Sequence, residues 1–191
     1  MLIVGLDLAG VADRPTGFCL LSDLKADTCV VYGDEEILTR IRQIKPCIVA
    51  IDAPLSLPPG RKSIEEKTSV HLRASDRELL KRGIKFFPIT LGPMRKLTVR
   101  GMNLRRILES EGFAAIEAYP GGAQDVLGIP RKQKGLEKLK SGLENLGIEG
   151  LNDFMNDHEL DAVTCAYVGK LLWEGKAVIY GDPANGIAMP K

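Results

Sequence analysis

Short apolar runs alternate with stop signals along the whole chain, and their periodicity outlines most of the elements. Residues 2 to 7 form one run, while residues 16 to 23 and 27 to 32 alternate around a polar turn at Asp23 to Asp27, the pattern of a hairpin. Three antiparallel strands are therefore expected at the start. From Asp34 the spacing of Ile37, Leu38, Ile41 and Ile44 is helical; Asp34 is placed to cap this helix, and Pro46 ends it before a strand at 47 to 52. A helical crossover gives that fourth strand a parallel partner.

The next segment, Ala53-Pro54-Leu55-Ser56-Leu57-Pro58-Pro59-Gly60, carries too many prolines for a helix or a central strand and reads as a loop. Helices are expected at about 72 to 82 and 96 to 111, flanking the irregular Phe86-Phe87-Pro88-Ile89-Thr90-Leu91-Gly92-Pro93. A fifth strand runs from Phe113 to Tyr119 and stops at Pro120-Gly121-Gly122. A short helix, a second one from about Gly135 to Leu146 and a long one over 157 to 173 follow. The tail returns as an apolar strand, 177 to 180, ending in the polar loop Gly181 to Gly186. The expected fold is α/β, a mixed five-stranded central sheet with helices on both faces and an insertion at about 55 to 110, all in one domain spanning 1 to 191.

Composition narrows the setting. At 191 residues with 45% apolar and 27% charged positions, the chain can bury a continuous core without disulfides. No apolar run approaches the ~20 residues of a membrane helix, and Asp7 comes too early for a signal peptide, so a cytoplasmic protein without a membrane partner is expected. Cys19, Cys29, Cys47 and Cys165 stand singly in apolar segments and read as small core residues of a reduced compartment. The net charge is +1, yet residues 61 to 106 hold 13 Lys/Arg against 4 Asp/Glu. Such a basic insertion suits a phosphate backbone, although a solvated helix face gives the same count. Aromatic residues make up only 5%, so a base-stacking platform is not expected; Phe86, Phe87 and Tyr119 are what the chain offers.

Chemistry concentrates in acids at the ends of apolar runs. Asp7 follows Leu2 to Leu6, Asp52 follows Ile48 to Ile51, Glu117 follows Phe113 to Ile116, and Asp161 sits near the start of the last long helix. A carboxylate at the edge of a buried strand is costly to desolvate, so several of them point to one shared, charge-compensated site. Clustered acids raise one another's pKa unless a cation joins them. Hard oxygen ligands suit Mg²⁺ or Mn²⁺, and such ions support phosphodiester hydrolysis. His158, one helical turn before Asp161, is placed either to ligate or to act as a general base. Turn chemistry competes at Asp7 and Asp52, and dipole compensation competes at Asp161. Asp182 reads as a turn residue, and His71 as the start of a helix.

Several motifs resemble those of a domain-of-unknown-function family of predicted RNase H-like nucleases: Gly5-Leu6-Asp7-Leu8-Ala9-Gly10, Ile51-Asp52-Ala53-Pro54-Leu55-Ser56, Ile116-Glu117-Ala118-Tyr119-Pro120 and Tyr180 to Gly186. Arg73-Ala74-Ser75-Asp76-Arg77 and Lys134-Gly135-Leu136 are similar to polar positions of that family. His158-Glu159-Leu160-Asp161-Ala162 resembles the last acidic motif of the Holliday-junction-resolvase branch of the RNase H-like superfamily. The resemblance implies an RNase H-like fold, a divalent-metal site at Asp7, Asp52, Glu117 and Asp161, and phosphodiester hydrolysis. Fold alone does not fix function.

The leading expectation is thus a metal-dependent nuclease acting on DNA or RNA. Arg73, Arg77, Arg95, Lys96, Arg100 and Lys134 are its candidate substrate contacts, although helix solubility accounts for most of them equally well. Two alternatives stay open. One is an actin-like or sugar-kinase-type nucleotide phosphohydrolase, which lacks support from any second Gly-rich phosphate loop; the other is a non-catalytic module that binds nucleic acid or protein. The sequence leaves the oligomeric state open, a homodimer included.

Overall fold

The computed structural model describes residues 1–191. Strands β1 (Leu2–Asp7), β2 (Thr16–Ser22) and β3 (Lys25–Val31) form an antiparallel meander. Its second turn is tight, with Asp23 in the left-handed region at φ 55°. Helix α1 (Asp34–Ile44) crosses over and delivers β4 (Ile48–Ile51) parallel to β1. The proline-rich loop follows, then α2 (Ala74–Lys81) and α3 (Gly92–Ser110), and β5 (Ala115–Ala118) adds on parallel to β4. Next come α4 (Pro120–Leu127), a 3-10 turn at Lys132–Lys134, α5 (Leu136–Asn145) and α6 (Asp157–Trp173). The chain ends in the hairpin β6 (Ala177–Tyr180) and β7 (Ile187–Pro190).

The sheet therefore has seven strands rather than five, in the order β3-β2-β1-β4-β5-β7-β6. Both extra strands come from the tail. Residues 181 to 186 are a hairpin turn, not a terminal loop: Asp182 Oδ1 accepts from the backbone N–H groups of Ala184 (3.0 Å) and Asn185 (2.9 Å), which is turn duty. Strand β7 escapes a periodicity reading because Ile187-Ala188-Met189-Pro190 is buried throughout and shows no alternation. It nonetheless inserts between β5 and β6.

Helix starts differ from expectation in one place. Gly33, not Asp34, is the N-cap of α1 and gives no side-chain cap. Asp34 lies in the first turn, where a negative charge suits the helix dipole, and its carboxylate receives Arg100 Nε at 2.8 Å. Helix α6 is capped in the full reciprocal way: Asn156 Oδ1 accepts from the Glu159 N–H, and Glu159 Oε2 accepts from the Asn156 N–H, both at 3.0 Å. That box fixes where α6 begins, and so where His158 and Asp161 point. His71 lies in the exposed stretch just before α2.

Each face of the sheet carries its own core. Val4 and Leu6 of β1 and Val49 and Ile51 of β4 pack with Ile37, Leu38 and Ile41 of α1 and Leu104 and Leu108 of α3. Ile3 and Ile48 pack on the other face with Leu160, Ala162, Val163 and Ala166 of α6 and Leu139 and Leu143 of α5. Cys19 and Cys165 are buried as expected, whereas Cys29 is only half-buried and Cys47, the residue before β4, is exposed. Helix α6 lies almost on the backbone of the sheet. A Cβ at Gly5 would stand 2.1 Å from the Ala162 carbonyl oxygen, and one at Gly17 would stand 2.0 Å from that of His158. Only glycine permits that approach at β1 and β2.

Candidate active site

Strand parity decides which acids meet. Side chains alternate between faces, so Asp7 shares the α6 face with Ile3 and Gly5. Asp52 continues the parity of Ile48 and Ala50, which also pack on the α6 side, and its N–H is held by the Leu6 carbonyl at 2.8 Å. The two aspartates thus leave neighbouring parallel strands at the same height and on the same side. Asp161, on the second turn of α6, comes down onto them.

The three acids share one electrostatic environment. Burial, followed by the charges of Asp7 and Asp161, holds the Asp52 carboxyl well above the usual carboxylate range. Lys132 offsets part of this, and no hydrogen-bond donor partners the Asp52 carboxylate. Asp161 is only 5% exposed, and burial raises its pKa as well. It has partners: Gln124 Nε2 of α4 donates to its Oδ1 at 2.8 Å, and Lys132 Nζ lies 2.9 Å from its Oδ2. Gln124 is itself buried and also donates to Thr164 Oγ1 at 3.1 Å, which fixes its amide.

His158 and Asp7 form the other contact of the site. Nδ1 lies 2.7 Å from Asp7 Oδ2, and this hydrogen bond raises the imidazole pKa against the opposing effect of burial. Nδ1–H therefore donates to the carboxylate, which leaves Nε2 as the ring atom able to take up or release a proton. Lys132 Nζ also reaches Asp157 Oδ2 at 3.1 Å. Burial works against its charge, but Asp161, Asp7 and Asp157 together raise its pKa.

Glu117 still adds its charge to those that raise the Asp52 carboxyl, but its own bonds are made elsewhere. It has the parity of Ala115 and pairs in register with Ile51, so it leaves β5 on the face opposite α6. There Arg73 clamps it from both sides, Nη1 to Oε2 at 2.6 Å and Nη2 to Oε1 at 2.8 Å. The Leu55 N–H adds a third bond to Oε2 at 2.8 Å, and Arg73 also holds Asp76. Desolvation raises the Glu117 pKa while Arg73 opposes it; Arg73 itself, despite burial, is held protonated by Glu117 and Asp76. This buried triad ties α2 and the proline-rich loop to β5.

The candidate substrate cations divide in the same way. Arg73 is spent inside the protein, and so is Arg100, which is 7% exposed and donates to the carbonyls of Ala9, Val11 and Tyr32 besides Asp34. Both hold loops rather than face solvent. Arg77, Lys96 and Lys134 are exposed, and half-buried Arg95 pairs with Glu65. Lys132 and Gln124 were not among the expected site residues. Lys132 lay in a polar run, Arg131 to Lys134, where nothing local separates the inward lysine from the outward one.

No three His, Cys, Asp or Glu side chains close around a single point that would hold one metal ion. The donor set nevertheless suits a hard cation: three carboxylates on one face, with Asp52 half-buried, unpartnered and repelled by its neighbours. A lysine ammonium supplies the only nearby positive charge that reaches Asp161.

A model of the family described as "Protein of unknown function (DUF429)" matches residues 5–185. The chain belongs to this family. Solved structures match the DUF429 chain over its whole length. One is described as "T. thermophilus RuvC in complex with Holliday junction substrate", with a TM-score of 0.55 and 14% identity over 100% of this chain and 99% of that one. Another, "Thermus thermophilus RuvC structure", has a TM-score of 0.51 and 14% identity over 100% of both chains. No curated protein matches the chain by sequence. At such identity the likeness shows the fold, which is the RNase H-like fold of RuvC. No helix is long and apolar enough to cross a membrane.

Proposed function

We propose that this DUF429 protein is a metal-dependent nuclease whose working groups are Asp7, Asp52, Asp161 and His158. The carrying observation is the half-buried Asp52 carboxylate, without a hydrogen-bond donor and set beside the charges of Asp7 and Asp161 on the α6 face. Those three acids would hold Mg²⁺ or Mn²⁺; when bound, the ion activates water and stabilises the leaving oxygen of a phosphodiester. His158 keeps one nitrogen on Asp7 and offers Nε2 for proton transfer. Gln124 orients Asp161, and Lys132 supplies positive charge beside it, suited to an anionic substrate. Glu117 serves by anchoring Arg73, and so by shaping the floor behind Asp52.

A nucleic-acid substrate is favoured over a small phosphate ester by the surface cations of the insertion, Arg77 and Lys96, and by Lys134. A structure of the neighbour RuvC with a Holliday junction substrate is in keeping with that choice. The test is cleavage of linear and branched DNA and RNA oligonucleotides with Mn²⁺ or Mg²⁺. Wild-type protein should cut at least one of them, and Asp7→Asn should not, while keeping its circular dichroism spectrum. Absence of cleavage of every substrate with either metal overturns the reading.

A further inference from the structure

Beside Asp52, on the side away from α6, a cavity of about 160 Å³ opens between β4, β5 and the insertion. Its walls are apolar: Leu79 from α2, Phe86 from the α2–α3 connector, Met94 and Leu97 from α3, and Ile187 from β7. Its polar border is Arg73 with Asp76 and Glu117, and these three satisfy one another. Two carboxylates share one guanidinium there, so the hydrogen bonds of the triad are used internally and, with Asp52 on the lining, the polar border is net acidic.

Two further features shape the opening. Phe87, also on the lining, is 69% exposed, an aromatic face left in water at the mouth. Its loop is tethered, because the Tyr119 hydroxyl donates to the Lys85 carbonyl and Arg131 lies 5.7 Å over the Tyr119 ring. The wall is held in place rather than induced. An apolar cavity of roughly 150 Å³ accepts a benzene ring. The volume here therefore fits one flat monocycle, and a stacked base pair is too large.

We propose that this cavity binds a single unpaired nucleobase of the substrate, a pyrimidine by size, turned out of its stack beside the acid site. The proposal rests on the nuclease reading and names how that site takes its substrate. A phosphate or sugar would meet apolar walls and an acid edge, which disfavours both. A neutral planar ring gains burial against Leu79, Met94 and Leu97 and stacks on an aromatic side chain, an interaction open to any base. Enzymes that act next to an extruded base commonly hold it in such a pocket. The connector Phe86-Phe87 thereby acquires a use that the low overall aromatic content concealed.

The test uses full-length protein carrying ¹³C-methyl methionine, which gives five probes. Met94 lines the cavity, while Met155 lies in the core on the α6 face and serves as the internal control. Thymidine 5′-monophosphate should shift the Met94 methyl saturably and leave Met155 unmoved; 2-deoxyribose 5-phosphate, which lacks the base, should shift neither. Phe87→Ala, a change at an exposed position, should weaken the response at least fivefold. The proposal is overturned if the base-free sugar phosphate moves Met94 as much as the nucleotide does, or if the nucleotide leaves Met94 unmoved. Oligonucleotide cleavage measured in parallel separates the two readings. A Met94 response without hydrolysis removes the nuclease and keeps the pocket; hydrolysis without a Met94 response removes the pocket and keeps the nuclease.

Discussion

His158 Nδ1 rests 2.7 Å from Asp7 Oδ2, a contact that joins the first strand to the last long helix across 151 positions of the chain. The bond fixes which ring nitrogen faces the site, and it needs a ring to do so. His158→Gln should lower cleavage by roughly 10²-fold or more, the usual scale for loss of a positioned proton-transfer group. The side chain is 35% exposed, so stability should change little. Steady-state cleavage rates beside a urea melt check both halves; a variant that cuts as fast as wild type removes His158 from the mechanism.

Asp52 carries the clearest linkage between function and stability. Its carboxyl pKa in the fold lies above the unfolded value of about 3.9, so the folded protein binds this proton more tightly. The fold is then penalised as pH rises from about 4 through the raised pKa, and the penalty is complete above it. Asp52→Asn removes the charge and should melt higher than the metal-free wild type at pH 7. The gap should close as pH falls toward 4. Scanning calorimetry with and without Mn²⁺ decides the matter, because the ion should stabilise the wild type and not the variant.

Parity is the part of the site that could have been read in advance and was not. Four acids at apolar run ends looked equivalent, but counting by twos from Ile3 and Ile48 sends Asp7 and Asp52 to one face, whereas Glu117 follows Ala115 to the other. Asp161 was legible because Leu160, Val163 and Thr164 mark a buried helix around it. The meander, the crossover and α6 were legible for the same reason: their faces differ in polarity. Strand β7 was not, since burial on both sides erases alternation. Lys132 was not, since a lysine's inward turn is set by Asp157 and Asp161, 25 and 29 positions away. Nor was the Arg73 clamp, which depends on a partner 44 positions downstream.

That clamp should dominate the stability of the insertion. Arg73 and Glu117 are 5% exposed each, and removing one member of a buried pair leaves an uncompensated charge. Arg73→Ala, which strands both Glu117 and Asp76, should cost about 3–5 kcal/mol in urea unfolding. Glu117→Gln should cost less, since the amide still accepts from Leu55 and Arg73 retains Asp76. Calorimetric Mn²⁺ affinity should be unchanged in Glu117→Gln; a large loss would return Glu117 to the metal-binding set.

Gly17 tests whether the close seat of α6 matters to the site itself. A Cβ there would stand 2.0 Å from the His158 carbonyl oxygen and 2.4 Å from its carbonyl carbon, both backbone atoms that no rotamer change can clear. The first turn of α6 must therefore lift, carrying His158 away from Asp7. Overpacking of this kind usually costs about 1–3 kcal/mol, so Gly17→Ala should still fold at 25 °C. Its cleavage rate should fall far more than its stability, toward that of His158→Gln. Gly33→Ala is the matched control, because a Cβ at Gly33 meets nothing within 4 Å and its φ of −74° suits any residue. If Gly17→Ala and Gly33→Ala cleave equally well, contact between α6 and β2 does not set the position of His158.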